Sequence, residues 1–342
     1  MSHPKGRQSS PSPFFLRKST LIWILVTICV LYLLLSRSTK KTVSLKELLS
    51  VSIEAARRGG AEVKQVREKA DIGEKSKGKT SEGANNPVTD GDILSHRAMY
   101  YGILKAFPHI QIVSEESDPD KNFDMSKIPQ PPLENSEVEA LVLSDEVVPV
   151  EDVDVWIDPL DATQEYTEGL TQYVTTMVCV AVKGKPVIGV IYKPFSDTLA
   201  WGWAGSLNKV NSVLKKDFMA QSAPAYSKNR FIVSRSHAGN VDATAKKVFG
   251  EDVKTTPAGG AGYKVWEVVK GHQDAYIHVT LIKKWDICPG AAILKALGGS
   301  LTSLKGEEIN YFDTDEKNRG GVLAAIHDHQ EFVRAFKDAK KA

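Results

Sequence analysis

Four short acidic stretches stand where an apolar run ends or a helix begins. SEE places Glu115 and Glu116 behind IQIV, and DPLD places Asp158 and Asp161 behind VWI. KKWDICPG places Asp286 at a helix start, and TDGD places Asp90 and Asp92 at another. Carboxylates gathered without a cation repel one another and take up protons. Oxygen-only donor sets are what Mg²⁺ prefers. A pair of such ions would neutralise the acids and suit in-line attack of water on a phosphate ester. Each acid also has a purely structural reading. Asp158 before Pro159 suits a turn, and Asp161 and Asp286 suit helix N-caps. Spacing alone leaves open whether the four stretches meet.

The elements around them follow from periodicity. Leu45, Leu48, Leu49, Ile53 and Ala56 recur at helical steps, with Ser44 and Glu47 as a capping box. A polar, glycine-containing loop over 72–86 follows, then a second helix opening at Thr89 to Asp92 and running to Phe107. The acidic, proline-rich stretch 117–137 reads as a surface insertion. TTMVCVAV, PVIGVIYKP and TLAWGWAG read as an antiparallel meander. After a polar link at 205–229, strands and helices alternate, as in an α/β layered unit.

The N-terminus differs from the rest. Residues 1–19 are rich in Ser, Pro and Lys and read as a disordered tail. Residues 20–36 carry no charge, and as a helix they would span about 26 Å. This reads as an uncleaved signal anchor rather than a cleaved signal peptide, with 37–43 as a stem. Basic residues flank it on both sides, so charge does not orient it.

The 342 residues are 42% hydrophobic and 25% charged, as in a globular protein, and the net charge of +2 argues against a DNA or RNA partner. The three cysteines, Cys29, Cys179 and Cys288, form neither a disulfide framework nor a zinc pattern. Cys179 and Cys288 read as small buried hydrophobes.

The order of WIDPLDAT and then WDICPGAAILKALGG, with the Glu pair ahead of both, resembles the lithium-sensitive, Mg²⁺-dependent phosphomonoesterases of the inositol monophosphatase superfamily, over roughly residues 44–335. The resemblance implies an α/β, αβαβα five-layer sandwich of the inositol monophosphatase and fructose-1,6-bisphosphatase type over 44–340, behind an N-terminal transmembrane helix. Its metal-binding α+β half would cover 44–204 and its substrate half 205–340. It implies two or three Mg²⁺ ions. Glu115, Asp158 and the Leu160 carbonyl would hold the first, and Asp158, Asp161 and Asp286 the second. Thr163, polarised by Asp92, would orient the attacking water. Two residues depart from the pattern, since Ser114 and Ala162 stand where glycine is usual. Ala162 is small and is expected to keep the turn if its φ is negative; a required positive φ would count against it.

TQEYTEG, VSRSH and AGGAGYK resemble the bisphosphate nucleotidase branch. In that branch Ser234 and His237 would contact the nucleotide. The Gly260–Gly262 turn with Lys264 would hold its phosphate or ribose side, with Asp286 also facing substrate. Glycines let backbone N–H groups approach an anion, and lysine adds charge. Combined with the anchor, the resemblance implies a single-pass type II Golgi membrane protein. Its lumenal domain would hydrolyse adenosine 3′,5′-bisphosphate to AMP and phosphate, clearing the by-product of sulfotransferases and supporting glycosaminoglycan sulfation. A homodimer is also implied. An inositol (poly)phosphate phosphatase and an inactive, membrane-tethered nucleotide-binding protein remain as rivals.

Overall fold

The structure, a computed structural model, describes residues 20, 23, 26–28, 41–80, 83–220, 229–312 and 315–339. The tail at 1–19, most of the apolar segment 20–36 and the stem up to residue 40 lie outside them. Among the described residues no helix is long and apolar enough to cross a membrane. From Thr42 onward the chain is one unit around two sheets.

Helix α1 (Leu45–Arg67) starts where the Ser44 hydroxyl accepts from Glu47 N–H at 3.0 Å. The stretch expected to be a loop is instead a hairpin, β1 (Lys75–Lys79) with β2 (Asn85–Val88). Its strands are mostly exposed and polar on both faces, so no alternating pattern marks them. Helix α2 (Asp90–His96) continues through one wider turn at Arg97–Tyr101 into Gly102–Ala106. Strand β3 (Gln111–Ser114) leads into the 117–137 stretch, which is tied down. Asp118 pairs with Arg97 at 2.8 Å, and Phe123 stacks on Tyr101 at 4.9 Å.

Strand β4 (Val153–Asp161) is buried at every position, which accounts for its apolar stretch at Val155, Trp156 and Ile157. A one-turn helix α3 (Thr163–Thr167) follows, then β5 (Thr175–Val182), β6 (Lys185–Lys193) and β7 (Thr198–Trp203) as the expected meander. The edge strand β8 (Lys209–Val210) and a helix at Ser212–Met219 occupy what reads as a polar link. The sheet order is β8-β7-β6-β5-β4-β3, antiparallel except that β3 runs parallel to β4. Helices α1 and α2 cover one face, and Leu45, Leu48, Val155 and Trp201 share that core.

The second sheet begins with β9 (Arg230–Ser234), α4 (Val241–Phe249), β10 (Lys254–Ala258), α5 (Ala261–Val269) and β11 (Ala275–His278). Strand β12 (Ile282–Lys283) leads straight into α6 (Lys284–Ala296). Then come β13 (Ser300–Thr302), β14 (Lys317–Asn318), β15 (Val322–Ala325) and helix α7 (His329–Ala339). The order is β10-β9-β11-β15-β13, parallel around β9 and antiparallel beyond β11. Helices α5 and α6 lie between the two sheets, while α4 and α7 cover the outer face of the second. Helices and sheets therefore alternate in five layers.

Cys179 on β5 and Cys288 on α6 form a disulfide across that central layer. This corrects the reading that the cysteines form no disulfide and that these two serve only as small buried hydrophobes. They are buried as expected, but 109 residues of separation hide a pairing that only the fold creates.

Candidate active site

Strand β4 delivers the acids through a bulge. It pairs with β5 as far as Asp158 opposite Met177, slips, and resumes at Asp161 opposite Thr175. Three steps on β4 thus face two on β5, which bends the strand and re-aims its end. Because Ser114 sits opposite Ile157 in the parallel pair, Glu115 emerges beside Asp158, with its N–H donating to Ile157 O at 3.1 Å. Helix α6 brings Asp286 from the other side, where its Oδ2 accepts from Lys283 N–H at 3.2 Å. One carboxylate oxygen each from Glu115, Asp158 and Asp286 lies within 4.8 Å of the others.

This cluster is electrostatically costly as protein alone. Burial first, then the charges of Glu115, Asp161, Asp286 and Asp92, raise the Asp158 pKa well above the carboxylate range. Burial, with Glu115 and Asp161, does the same to Asp286. Asp158 Oδ2 is buried with no hydrogen-bond partner, although its other oxygen accepts from Leu160 N–H at 3.2 Å. An orphaned carboxylate oxygen among convergent acids fits a hard cation. On the solvent side, Lys77 from β1 reaches Glu115 at 3.1 Å and Glu116 at 2.5 Å. Burial opposes its charge, yet the two glutamates outweigh that and hold its pKa above the usual value.

Asp92 is buried at N3 of α2, where its Oδ2 accepts from Thr89 N–H at 2.7 Å and Thr89 Oγ1 at 2.6 Å. Burial, aided by the fields of Glu115 and Glu116, pushes its pKa up to about 7. Thr163 Oγ1 lies 3.0 Å from Asp92 Oδ1 and 3.0 Å from Leu160 O, and its one hydrogen serves either acceptor. Ala162 takes φ 73°, the positive value that counted against the turn, and the turn before Thr163 forms all the same. Alanine tolerates that left-handed backbone at a cost of about 1–2 kcal/mol. Ser114 has a role of its own, since its hydroxyl meets His96 Nδ1 at 2.9 Å.

Asp161 stands apart from the three-acid cluster. Its Oδ1 accepts from Ala261 N–H at 3.0 Å, and its Oδ2 accepts from Gly262 N–H at 2.8 Å and Thr175 Oγ1 at 3.0 Å. Its carboxylate therefore occupies the N-terminus of α5, the end that favours an anion. Glycines make room for it. Gly260 has φ 63°, and a Cβ there would sit 2.7 Å from Tyr173 O, while one on Gly262 would sit 2.7 Å from Thr175 Oγ1. Burial lowers the Lys264 pKa, against the pull of Asp161, Glu165 and Asp286. Its ammonium donates to Gly260 O at 2.6 Å.

Ser234 ends β9, and its hydroxyl accepts from His237 N–H at 3.2 Å, closing the loop between them. The His237 ring contacts Ser236 Oγ at 3.0 Å. A cavity of about 600 Å³ joins these groups to the acids; Glu115, Asp158, Asp286, Ser234, His237 and Lys264 all line it. Leu160, Asp161, Thr163 and Gly260 line it too, whereas Asp92 and Gly262 stand behind the wall.

The model of the inositol monophosphatase family matches residues 44–341. The chain belongs to the inositol monophosphatase family. Among its relatives is a rat protein named Golgi-resident adenosine 3′,5′-bisphosphate 3′-phosphatase, 50% identical over 312 residues, 88% of this chain and 83% of that protein. A zebrafish protein named inositol monophosphatase 3 is 48% identical over 305 residues, 86% of this chain and 85% of its own length. CysQ from Bacteroides thetaiotaomicron, described as a bacterial member of the family, has a similar fold. Its TM-score is 0.57 at 21% identity, covering 83% of this chain and 98% of its own.

Inositol monophosphatase membership does not by itself identify two residues at this site. Lys77 lies in a polar stretch whose hairpin was not expected, and only its basic KSKGK run hints at acidic neighbours. Thr175 opens an apolar strand, and nothing in its surroundings signals a bond to Asp161.

Proposed function

We propose that this chain is a Mg²⁺-dependent phosphoric monoester hydrolase that converts adenosine 3′,5′-bisphosphate to AMP and phosphate. The observation that carries this reading is the meeting of Glu115, Asp158 and Asp286 within 4.8 Å at a cavity that Ser234, His237 and Lys264 also line. The name of the rat relative supports the choice of substrate.

Glu115, Asp158 and the Leu160 carbonyl would hold one cation, and Asp158, Asp161 and Asp286 another. Asp161 Oδ1, with a single protein donor, keeps a lone pair for that purpose. Bound there, Mg²⁺ would neutralise the acids and stabilise charge on the phosphate oxygens. With its hydrogen on Asp92 Oδ1 rather than on Leu160 O, the Thr163 hydroxyl would have a lone pair left to accept a hydrogen from water. With a pKa of about 7, Asp92 is able to take up a proton at neutral pH. Ser234, His237 and Lys264 would hold the nucleotide, with the Gly260 turn admitting its backbone approach.

The proposal extends to a type II signal anchor at 20–36, a catalytic domain in the Golgi lumen, inhibition by lithium and a homodimer. The buried Cys179–Cys288 disulfide supports the lumen, because such bonds persist in oxidising compartments. There the enzyme would clear the by-product of sulfotransferases. The zebrafish relative's name favours a second reading, an inositol phosphate phosphatase. Phosphate release by the full chain in detergent, from adenosine 3′,5′-bisphosphate against inositol 1-phosphate and inositol 1,4-bisphosphate, separates the two. A higher kcat/KM on the nucleotide is expected, and preference for either inositol ester would overturn the proposal.

A further inference from the structure

TQEYTEG and VSRSH, two of the three stretches that point to a nucleotide substrate, meet through one side chain. Arg235 lies between Ser234 and Ser236. Its Nη1 is 3.3 Å from Glu165 Oε1, and its Nη2 is 2.6 Å from Glu168 Oε2. The Glu165 side chain is only 2% exposed, against 38% for Arg235 and 34% for Glu168. Arg235 N–H also donates to Ala258 O at 3.0 Å. At the next residue, Gly259, a Cβ would come within 2.5 Å of Glu165 Cδ. Arg235 thus joins the end of β10 through its backbone N–H, and through its guanidinium it holds Glu165 of α3 and Glu168 just after that helix. That helix is five residues long and has no side-chain cap; buried Tyr166, whose hydroxyl donates to Val63 O at 2.9 Å, holds it against α1, so the loop after β9 is the part that Arg235 positions.

We propose that Arg235 is a positioning residue, clamping the helix that begins at Thr163 to the loop that carries Ser234 and His237. This inference rests on the nucleotide reading of the site. A planar fork across two carboxylates sets orientation as well as distance, which an ammonium does not do. Thr163 keeps its own bonds to Asp92 and Leu160. Release of the clamp therefore displaces the nucleotide-binding loop and leaves the hydroxyl in place. Loss of grip on the nucleoside, with hydrolysis of a small ester preserved, is the signature.

The test measures steady-state kinetics of the full chain on adenosine 3′,5′-bisphosphate and on p-nitrophenyl phosphate. Arg235→Met strands Glu165 without its cation, so Arg235→Met/Glu165→Gln and Arg235→Lys are measured beside it. The KM for the nucleotide should rise about tenfold or more in both Met variants, as for a lost charge-assisted contact. The Lys variant should fall between these and wild type, and kcat/KM on p-nitrophenyl phosphate should stay within about twofold. Equal losses on both substrates, or no change on either, overturn the clamp. A wild-type protein that prefers inositol 1-phosphate overturns the reading of the site instead.

Discussion

Asp158 and Asp161 lie three residues apart on one strand, both buried, and their surroundings differ. Asp161 has two backbone N–H groups at the start of α5, the Thr175 hydroxyl and the nearby Lys264 charge. Asp158 has one N–H donor, a bare second oxygen and the acids Glu115 and Asp286 across from it. Burial raises the pKa of both, but the Lys264 charge, the Gly262 and Ala261 N–H groups and the Thr175 hydroxyl pull that of Asp161 back down, whereas around Asp158 the neighbouring charges push it further up. Buried carboxylates are stabilised either by fixed dipoles or by a cation. Asp161 already has the first before it offers Oδ1 to a metal, whereas Asp158 depends on the second.

The sharpest way to break this contrast is substitution to asparagine. Asp158→Asn is expected to lower kcat by about a thousandfold or more, the scale of losing an electrostatic group at a reacting phosphate. In EDTA its Tm should equal or exceed that of wild type, because a repelled charge has gone. Asp161→Asn should instead cost about 1–3 kcal/mol of stability in EDTA, because an amide has only one oxygen to accept from Ala261, Gly262 and Thr175. Chemical denaturation of the two variants side by side checks this. Equal stability losses would erase the distinction.

The contrast should also appear against pH. The folded pKa values of Asp158 and Asp286 are raised above 3.8, so the native state holds protons that the unfolded chain has released. That stability is fully present below pH 3.8 and lost as pH rises through the folded values. In EDTA, Tm should therefore drift down from mildly acidic to neutral pH, and saturating Mg²⁺ should flatten the slope. A smaller effect belongs to the turn between the two acids. Ala162→Gly relieves a φ of 73° and is expected to stabilise by about 0.5–1 kcal/mol in a denaturant series. A destabilised variant would mean that the turn carries no strain.

Much of this site is legible before folding. An apolar strand that ends in DPLD already shows that acids sit at the rim of a core. The meander and the alternating second half likewise follow from periodicity. What stays hidden depends on contacts between distant segments. Glu115 reaches Asp158 only through the parallel pairing of β3 with β4. Asp161 meets α5 across 100 residues. Cys179 finds Cys288 because α6 packs on β5. The hairpin bearing Lys77 has no apolar face and so no period to read. Ala162 shows that a residue's type does not settle its φ when the flanking strand and helix impose one.

Calorimetric titration of the full chain with Mg²⁺, beside Asp158→Asn, tests the central claim most directly. Wild-type protein should bind Mg²⁺ saturably, and Asp158→Asn should show little or no heat in the same range. Binding by Asp158→Asn with unchanged affinity would contradict the assignment of these acids to a metal.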